Sequence, residues 1–290
     1  VFITHGAYAD VINLIARTGP EKGNKGLSAF IIERGTPGFS VGSREDKMGL
    51  RASNTVELIF EDCRVAKENL IGRPGLGFKV ANEGDLDKAA AFFSGAGVSN
   101  AFTEQPFQGR TLQFTDPFGF QIELYASMDK RPHLLRRYDL YKGCHPQRLD
   151  HFNVFAAEVQ DTVDFYARLG FRLTEYGEED GPNGRIAAAW MHRKGNVHDF
   201  AITNGKGPRL HHFAYWVPTA MNILHLCDVM ASSGYLKNIE RGPGRHGISN
   251  AFFLYVRDPD GHRLELYTSD YFTGDHDHEP LRWSLKDPRR

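Results

Sequence analysis

The sequence predicts an α+β protein whose paired βαβββ modules form a cupped sheet, with a mostly β segment in front. Three observations carry that expectation. Asp116-Pro-Phe-Gly-Phe-Gln-Ile-Glu-Leu-Tyr125 and Asp258-Pro-Asp-Gly-His-Arg-Leu-Glu-Leu-Tyr267 share the frame Asp-Pro-x-Gly-x-x-x-Glu-Leu-Tyr. The frame reads as a tight turn followed by a strand that carries one carboxylate inward. Leu149-Asp-His-Phe-Asn-Val-Phe155 and Leu210-His-His-Phe-Ala-Tyr-Trp216 repeat a strand-like context around histidine. Helical segments separate these runs, so the order β-α-β-β-β recurs in units of about 60 residues, and such a unit needs a partner to cover its concave face.

Residues 1–81 read as mostly β. Leu27-Ser-Ala-Phe-Ile-Ile-Glu33 and Thr55-Val-Glu-Leu-Ile-Phe-Glu61 are short apolar strands, and Gly19-Pro20, Gly23-Asn24 and Gly35-Thr-Pro-Gly38 are turns between them. Asn69-Leu-Ile-Gly72 and Gly75-Leu-Gly77 close this stretch. The texture then changes. Asp85 is placed to cap a helix running through Lys88 to Phe93, and strands Thr111–Phe114 and Phe120–Tyr125 follow. Residues 85–130 therefore read as a single module, followed by a basic connector from Lys130 to Arg137. Residues 147–270 hold two modules: strand Leu149–Phe155, helix Asp161–Leu169 and further strands, then strand Leu210–Val217, helix Asn222–Ser232, and strands Ala251–Val256 and His262–Tyr267. Residues 271–290 read as a carboxy-terminal tail. The front module lacks the partner it needs, which is expected to leave an apolar face uncovered.

Composition narrows the function classes. A length of 290 residues suits about two domains. Lys plus Arg number 35 and Asp plus Glu 36, a net charge of −1 that gives no electrostatic reason for a nucleic-acid or anionic-membrane partner. No run of about 18 apolar residues offers a membrane span, and no secretory signal opens the chain. Cys63, Cys144 and Cys227 are odd in number and widely spaced, which fits a reducing, cytoplasmic setting.

The chemistry concentrates in residues 149–267. Alternation along a strand puts Leu149, His151, Asn153 and Phe155 on one face, and likewise His212, Ala214 and Trp216, and Arg263, Glu265 and Tyr267. A strand histidine alone is more often a hydrogen-bonded core or surface residue than a ligand. Here His151 and His212 occupy the same place in two modules and Glu265 ends the second. Two imidazoles and a carboxylate on one side of an ion leave positions open for substrate and O₂, the facial triad of non-haem Fe(II) oxygenases. The front repeat places Glu123 equivalently with no histidines beside it, a structural echo. Gly242-Pro-Gly-Arg-His-Gly247 matches G-x-G-x-x-G formally. No clear strand precedes it, no helix follows, and Pro243 lacks an amide for a phosphate. It reads as a mobile loop carrying Arg241 and His246.

At these residues the chain resembles the extradiol ring-cleaving dioxygenases of the vicinal oxygen chelate (glyoxalase-like) superfamily, from about Asp85 to Arg290. Its most specific stretches are Arg148-Leu-Asp-His-Phe-Asn153, Gly195-Asn-Val-His-Asp-Phe200, Arg209-Leu-His-His-Phe-Ala214 and Arg257-Asp-Pro-Asp-Gly-His-Arg-Leu-Glu265. The resemblance implies Fe(II), with Mn(II) as a known variation, held by His151, His212 and Glu265. It implies a carboxylated catechol, with 3,4-dihydroxyphenylacetate the expected substrate, and O₂ as co-substrate. His198 matches the acid–base residue, Asn153 a residue on the O₂ side, and Tyr255 one that bonds the substrate oxygen. Trp190, Arg241 and Arg290 match the pocket for the side chain, with His246 near its mouth. A homo-oligomer is implied, a tetramer in the resembled family.

Residues 1–81 instead resemble the middle β-domain of acyl-CoA dehydrogenases. Phe2-Ile-Thr-His-Gly6, Gly26-Leu-Ser-Ala-Phe-Ile-Ile-Glu33, Lys47-Met-Gly-Leu-Arg-Ala-Ser53 and Phe60-Glu-Asp-Cys-Arg-Val65 carry the likeness. That family's upstream flavin-contact segment, helical domains and catalytic Glu have no counterpart, so FAD is not expected. The chain reads as a chimera joined near Asn82–Asp85. An acyl-CoA dehydrogenase-like flavoprotein fragment and an inactive chimera that only binds metal are the alternatives to a working dioxygenase.

Overall fold

The structure, a computed structural model, describes residues 2–4, 6–20, 27–44, 55–65, 70–72, 75–105, 107–130, 132–258, 261–275 and 277–289. Two units divide the chain, Val1–Lys130 and Arg131–Arg290.

The first unit contains β1 (Phe2–Thr4), β2 (Val11–Arg17), β3 (Leu27–Glu33), β4 (Phe39–Arg44), β5 (Thr55–Phe60), β6 (Leu70–Gly72), β7 (Leu76–Lys79), α1 (Glu83–Gly95), β8 (Asn100–Gln105), β9 (Gly109–Thr115) and β10 (Gln121–Tyr125). Among the described residues its sheets run β1-β5-β4, β2-β3-β6 and β7-β10-β9-β8. The last is a complete βαβββ module. Its opening strand is β7, which pairs parallel with β10, so the module starts before residue 85 and inside the segment read as foreign. The strand escaped notice because Leu76-Gly-Phe-Lys79 is short and surrounded by glycine. Helix α1 starts at Glu83, capped by Asn82 rather than Asp85: the Asp85 amide donates to Asn82 Oδ1 at 3.1 Å. Leu86 and Phe93 are buried, with the Phe93 ring 4.0 Å from Phe114. The opposite face is polar, not apolar as expected. There Glu123 accepts from the Gln108 and Gln113 amides at 3.3 and 2.7 Å.

The two Asp-Pro-x-Gly turns share their hydrogen bonds. Gly119 and Gly261 donate to the Asp116 and Asp258 carbonyls at 3.0 Å each. Asp116 Oδ1 accepts from the Phe120 amide, and Asp258 Oδ1 from the His262 amide, each at 2.8 Å. Gly119 (φ 92°) and Gly261 (φ 87°) sit in the left-handed region that only glycine enters freely. Pro259 and Asp260 lie outside the described residues.

The second unit comprises β11 (Arg148–Ala156), α2 (Val159–Arg168), β12 (Arg172–Glu178), β13 (Ile186–His192), β14 (Phe200–Asn204), β15 (Arg209–Trp216), α3 (Ala220–Ser232), β16 (Ile239–Arg245), β17 (Phe252–Arg257), β18 (Arg263–Thr268) and β19 (Leu281–Ser284). One nine-stranded sheet takes the order β16-β17-β18-β15-β11-β14-β13-β12-β19. Two βαβββ modules lie within it. β11 runs parallel to β14, β15 parallel to β18, and the modules join where β11 meets β15 antiparallel. Phe152 faces Phe213 at the middle of that seam, and counting outward from this pair makes His151 equivalent to His212.

Alternation assigns the two faces. Phe152 packs on Phe200, whose ring lies 4.6 Å from Tyr166 of α2. Val217, Ile223, Leu254, Val256 and Leu266 form a cluster with α3. Truncating a buried aromatic such as Tyr166 to Ala would cost roughly 3–5 kcal/mol. Residues between these apolar positions point to the other face, the cup. Two expectations change here. The Gly242–Gly247 stretch is not a loop: β16 runs through Arg245, held against β17 with two register shifts. The carboxy-terminal segment contributes β19, parallel to β12.

Candidate metal centre

Two cross-strand rows gather most of the singled-out residues on the cup face. In the first, His212 faces Asn153, Asn153 faces Ala201, Ala201 faces Trp190, and Trp190 faces Glu175. In the second, His151 faces Ala214, Ala214 faces Glu265, Glu265 faces Tyr255, and Tyr255 faces Arg241. The seam equates the rows position by position: His212 with His151, Asn153 with Ala214, Ala201 with Glu265, Trp190 with Tyr255, and Glu175 with Arg241. Each module supplies one histidine, and only the second supplies a carboxylate.

The three proposed ligands converge. His151 Nε2 lies 3.3 Å from His212 Nε2 and 3.1 Å from Glu265 Oε2, and His212 Nε2 is 3.0 Å from the same oxygen. All three residues are at most 3% exposed, and among the described residues they form the one group able to hold a metal ion. Ligands about 2.1 Å from a common centre and at right angles lie roughly 3 Å apart, so the triangle suits three adjacent corners of an octahedral ion. Two neutral nitrogens and a carboxylate fit Fe(II) or Mn(II).

Neighbours hold each ligand from behind. Asp150 Oδ2 accepts from His151 Nδ1 at 3.0 Å, and its other oxygen accepts from Arg148 at 3.1 Å. At the equivalent place, His211 Nδ1 lies 2.6 Å from His212 Nδ1, and Arg263 donates to His211 Nε2 at 2.7 Å. Such outer partners fix ring orientation and tune ligand basicity. Burial pulls His151 down, but hydrogen bonds to Asp150 and Glu265 outweigh it and raise its pKa to about 9. Burial alone would raise Glu265; hydrogen bonds from His151, His212 and His246 instead hold it well below the ordinary carboxylate range.

Two histidines arrive from outside the rows. His198 lies between β13 and β14 and is only 3% exposed, its ring centroid 3.9 Å from that of His151. The turn around it is tied down: Asp199 Oδ2 accepts the Arg193 and Lys194 amides, and the Thr174 hydroxyl donates to the Val197 carbonyl at 2.7 Å. His198 Nδ1 is buried without a hydrogen-bond partner. Burial, and then the neighbouring His151, hold its pKa well below the ordinary value. His246 follows β16, stacked on Phe253 at 3.6 Å, with Nε2 3.3 Å from Glu265 Oε1 and 3.4 Å from the Tyr255 hydroxyl. Burial, then the Glu265 charge, push the Tyr255 phenol well above its ordinary value. The Thr203 hydroxyl donates to Asn153 Oδ1 at 3.1 Å. Trp190 is half-buried, and Arg241 is exposed at the end of its row, its guanidinium 5.6 Å from the Phe253 ring. Arg290 lies outside the described residues. Sequence reasoning missed Asp150, His211 and Glu175. The first two were legible as the polar residue directly before each ligand; Glu175 had no local signal.

The profile of the Glyoxalase/Bleomycin resistance protein/Dioxygenase superfamily matches residues 148–266. The chain is 36% identical over 195 residues to the manganese-dependent 2,3-dihydroxybiphenyl 1,2-dioxygenase of Geobacillus genomosp. 3, covering 62% of this chain and 60% of that relative. A solved structure of homoprotocatechuate 2,3-dioxygenase from Brevibacterium fuscum, an anaerobic complex with 3,4-dihydroxyphenylacetate, is 38% identical with a TM-score of 0.72, covering 88% of this chain and 80% of that one. At the front, the acyl-CoA dehydrogenase middle-domain profile matches residues 1–63. Over 82 residues the chain is 57% identical to acryloyl-CoA reductase (NADH) of Anaerotignum propionicum, 28% of this chain and 21% of that relative. Through residues 148–266 the chain therefore belongs to the Glyoxalase/Bleomycin resistance protein/Dioxygenase superfamily, as a homologue of the extradiol dioxygenases with an acyl-CoA dehydrogenase middle-domain segment in front, a chimeric arrangement.

Proposed function

We propose that the protein is an extradiol ring-cleaving dioxygenase that inserts both atoms of O₂ into a carboxylated catechol, with 3,4-dihydroxyphenylacetate as substrate. The convergence of His151, His212 and Glu265 to within 3.0–3.3 Å of one another carries this reading. Held by His151, His212 and Glu265, an Fe(II) or Mn(II) ion would supply a common template for catechol and O₂ and the redox chemistry that joins them.

The chain's own residues supply the rest. His198 stays neutral, and its imidazole, packed beside His151, is suited to take a proton from a catechol hydroxyl and to return it as the ring opens. The Tyr255 hydroxyl stays protonated and donates to the substrate oxygen on its side, where His246 Nε2 stands 3.4 Å away. Asn153 marks the other side of the ligand triangle, next to His212 in its row. Arg241 offers two parallel N–H donors to the side-chain carboxylate, and Trp190 walls the pocket opposite. Cleavage next to, not between, the hydroxyl-bearing carbons gives a yellow ring-opened product. Metal analysis coupled to oxygen uptake is the test. Iron- or manganese-loaded protein should consume one O₂ per 3,4-dihydroxyphenylacetate and turn yellow. Metal-replete protein that consumes none would overturn the proposal for this chain.

A further inference from the structure

The first row of the cup ends on Glu175, a carboxylate the reaction above does not use. It is fully buried, and each of its hydrogen-bond donors is neutral. Oε1 accepts the Ser249 amide and the Tyr271 hydroxyl, each at 2.7 Å. Oε2 accepts the Trp283 indole N–H at 2.6 Å. The donors come from three separate stretches: the turn between β16 and β17, the segment after β18, and β19. A buried charge persists only when such donors saturate it.

The turn it holds leads directly out of His246. Ser249 (φ 56°) and Asn250 (φ 52°) are consecutive non-glycine residues in the left-handed region, a conformation that persists only where surrounding structure imposes it. The His246 amide donates to the Ala251 carbonyl at 2.8 Å across the turn. The tail packs on the same turn: a Cβ added at Gly247 would stand 1.8 Å from the Arg289 carbonyl oxygen and 3.1 Å from the Trp283 ring.

We propose that Glu175 is a positioning residue of the site: its carboxylate ties the Gly247–Asn250 turn to the carboxy-terminal strand and thereby holds the His246 ring between Phe253, Glu265 and Tyr255. The role in turnover rests on the ring-cleaving function; the placement of His246 does not. Glu175→Gln puts an NH₂ where an acceptor is needed and breaks the arrangement on one side. Trp283→Phe and Tyr271→Phe each remove one donor and decide the same question should Glu175→Gln not fold.

The primary readout is the His246 ring resonance in metal-free protein carrying labelled histidine, assigned with His246→Asn. Stacking on Phe253 shifts that resonance upfield, and the Glu175, Trp283 and Tyr271 variants should move it back. In metal-loaded protein, kcat for 3,4-dihydroxyphenylacetate should fall about ten- to a hundredfold at unchanged metal content. An unmoved His246 resonance in all folded variants, with only the melting temperature lowered, would reduce Glu175 to a stability element. A parent protein that takes up no oxygen defeats the ring-cleaving proposal alone, because the resonance still reports on Glu175.

Discussion

A pKa raised to about 9 keeps His151 protonated at neutral pH in the metal-free protein, so a metal held as proposed would have to displace that proton. Its pKa is raised to about 9, whereas an unfolded histidine titrates near 6.5. In the metal-free protein its contribution to stability is therefore fully present below about pH 6.5 and is lost as pH rises through 9. Metal acts in the opposite sense, because it needs the free Nε2 lone pair that appears only as the proton leaves. The melting-temperature gain on adding Mn(II) should accordingly widen between pH 6.5 and 9, with close to one proton released per metal bound near pH 7. Scanning calorimetry across that range, with proton release followed in buffers of different ionisation enthalpy, checks this. A gain that is flat with pH would show that His151 is not a ligand. Asp150 and Glu265 cause the raised pKa, and both were visible in the sequence beside or in register with the histidine. Its magnitude was not, since it depends on burial that a string of residues does not display.

At the scale of strands, the seam between β11 and β15 turns the site into a pair of rows with one carboxylate missing. Ala201 holds the position equivalent to Glu265 and faces Asn153, as Glu265 faces Ala214. Glu265→Ala should abolish metal binding. Adding Ala201→Glu to that variant places a carboxylate on the other side of the same two histidines and should restore metal binding, read as metal stoichiometry after dialysis. Ring opening should not return, because Trp190 stands where Tyr255 would be needed and Glu175 where Arg241 would be. A double variant as metal-free as the single one would refute the equivalence. The rows explain what was legible. His151, Asn153, His212 and Glu265 sit on strands with clear alternation, so the face each shares with its strand neighbours followed from period two, whereas Tyr255 was singled out only by the resemblance. β16 was hidden because Gly242-Pro-Gly244 reads as a loop until β17 pairs with it. β19 is four residues whose partner β12 lies more than a hundred residues earlier. Glu175 was hidden for the same reason: its donors are 74, 96 and 108 residues away.

Across the whole chain, three modules of one topology divide the chemistry unequally. The front module has the carboxylate without the imidazole: Glu123 faces Gly77 as Glu265 faces Ala214, so Gly75, two residues earlier, stands where His212 does. Its strand β7 comes from the segment that resembles another family, so no histidine context was available there. The second module has the imidazole without the carboxylate, and the third has both. All three proposed ligands, the residues behind them and His198 and His246 lie in Arg131–Arg290, a unit with its own sheet and helices. Metal binding should therefore be indifferent to the front unit's carboxylate. Glu123→Gln keeps an acceptor for Gln113, exchanges one partly exposed hydrogen-bonded group for another, and should change stability by about 1 kcal/mol or less. Glu265→Gln removes the only carboxylate of the triad and should lower metal affinity by at least about a hundredfold, beyond the 10–100-fold usual for losing an outer-shell partner. Chelator competition on the two variants side by side separates these outcomes. Equal loss in both would mean that the front module contributes a ligand, and the assignment of the site to the second unit would fall.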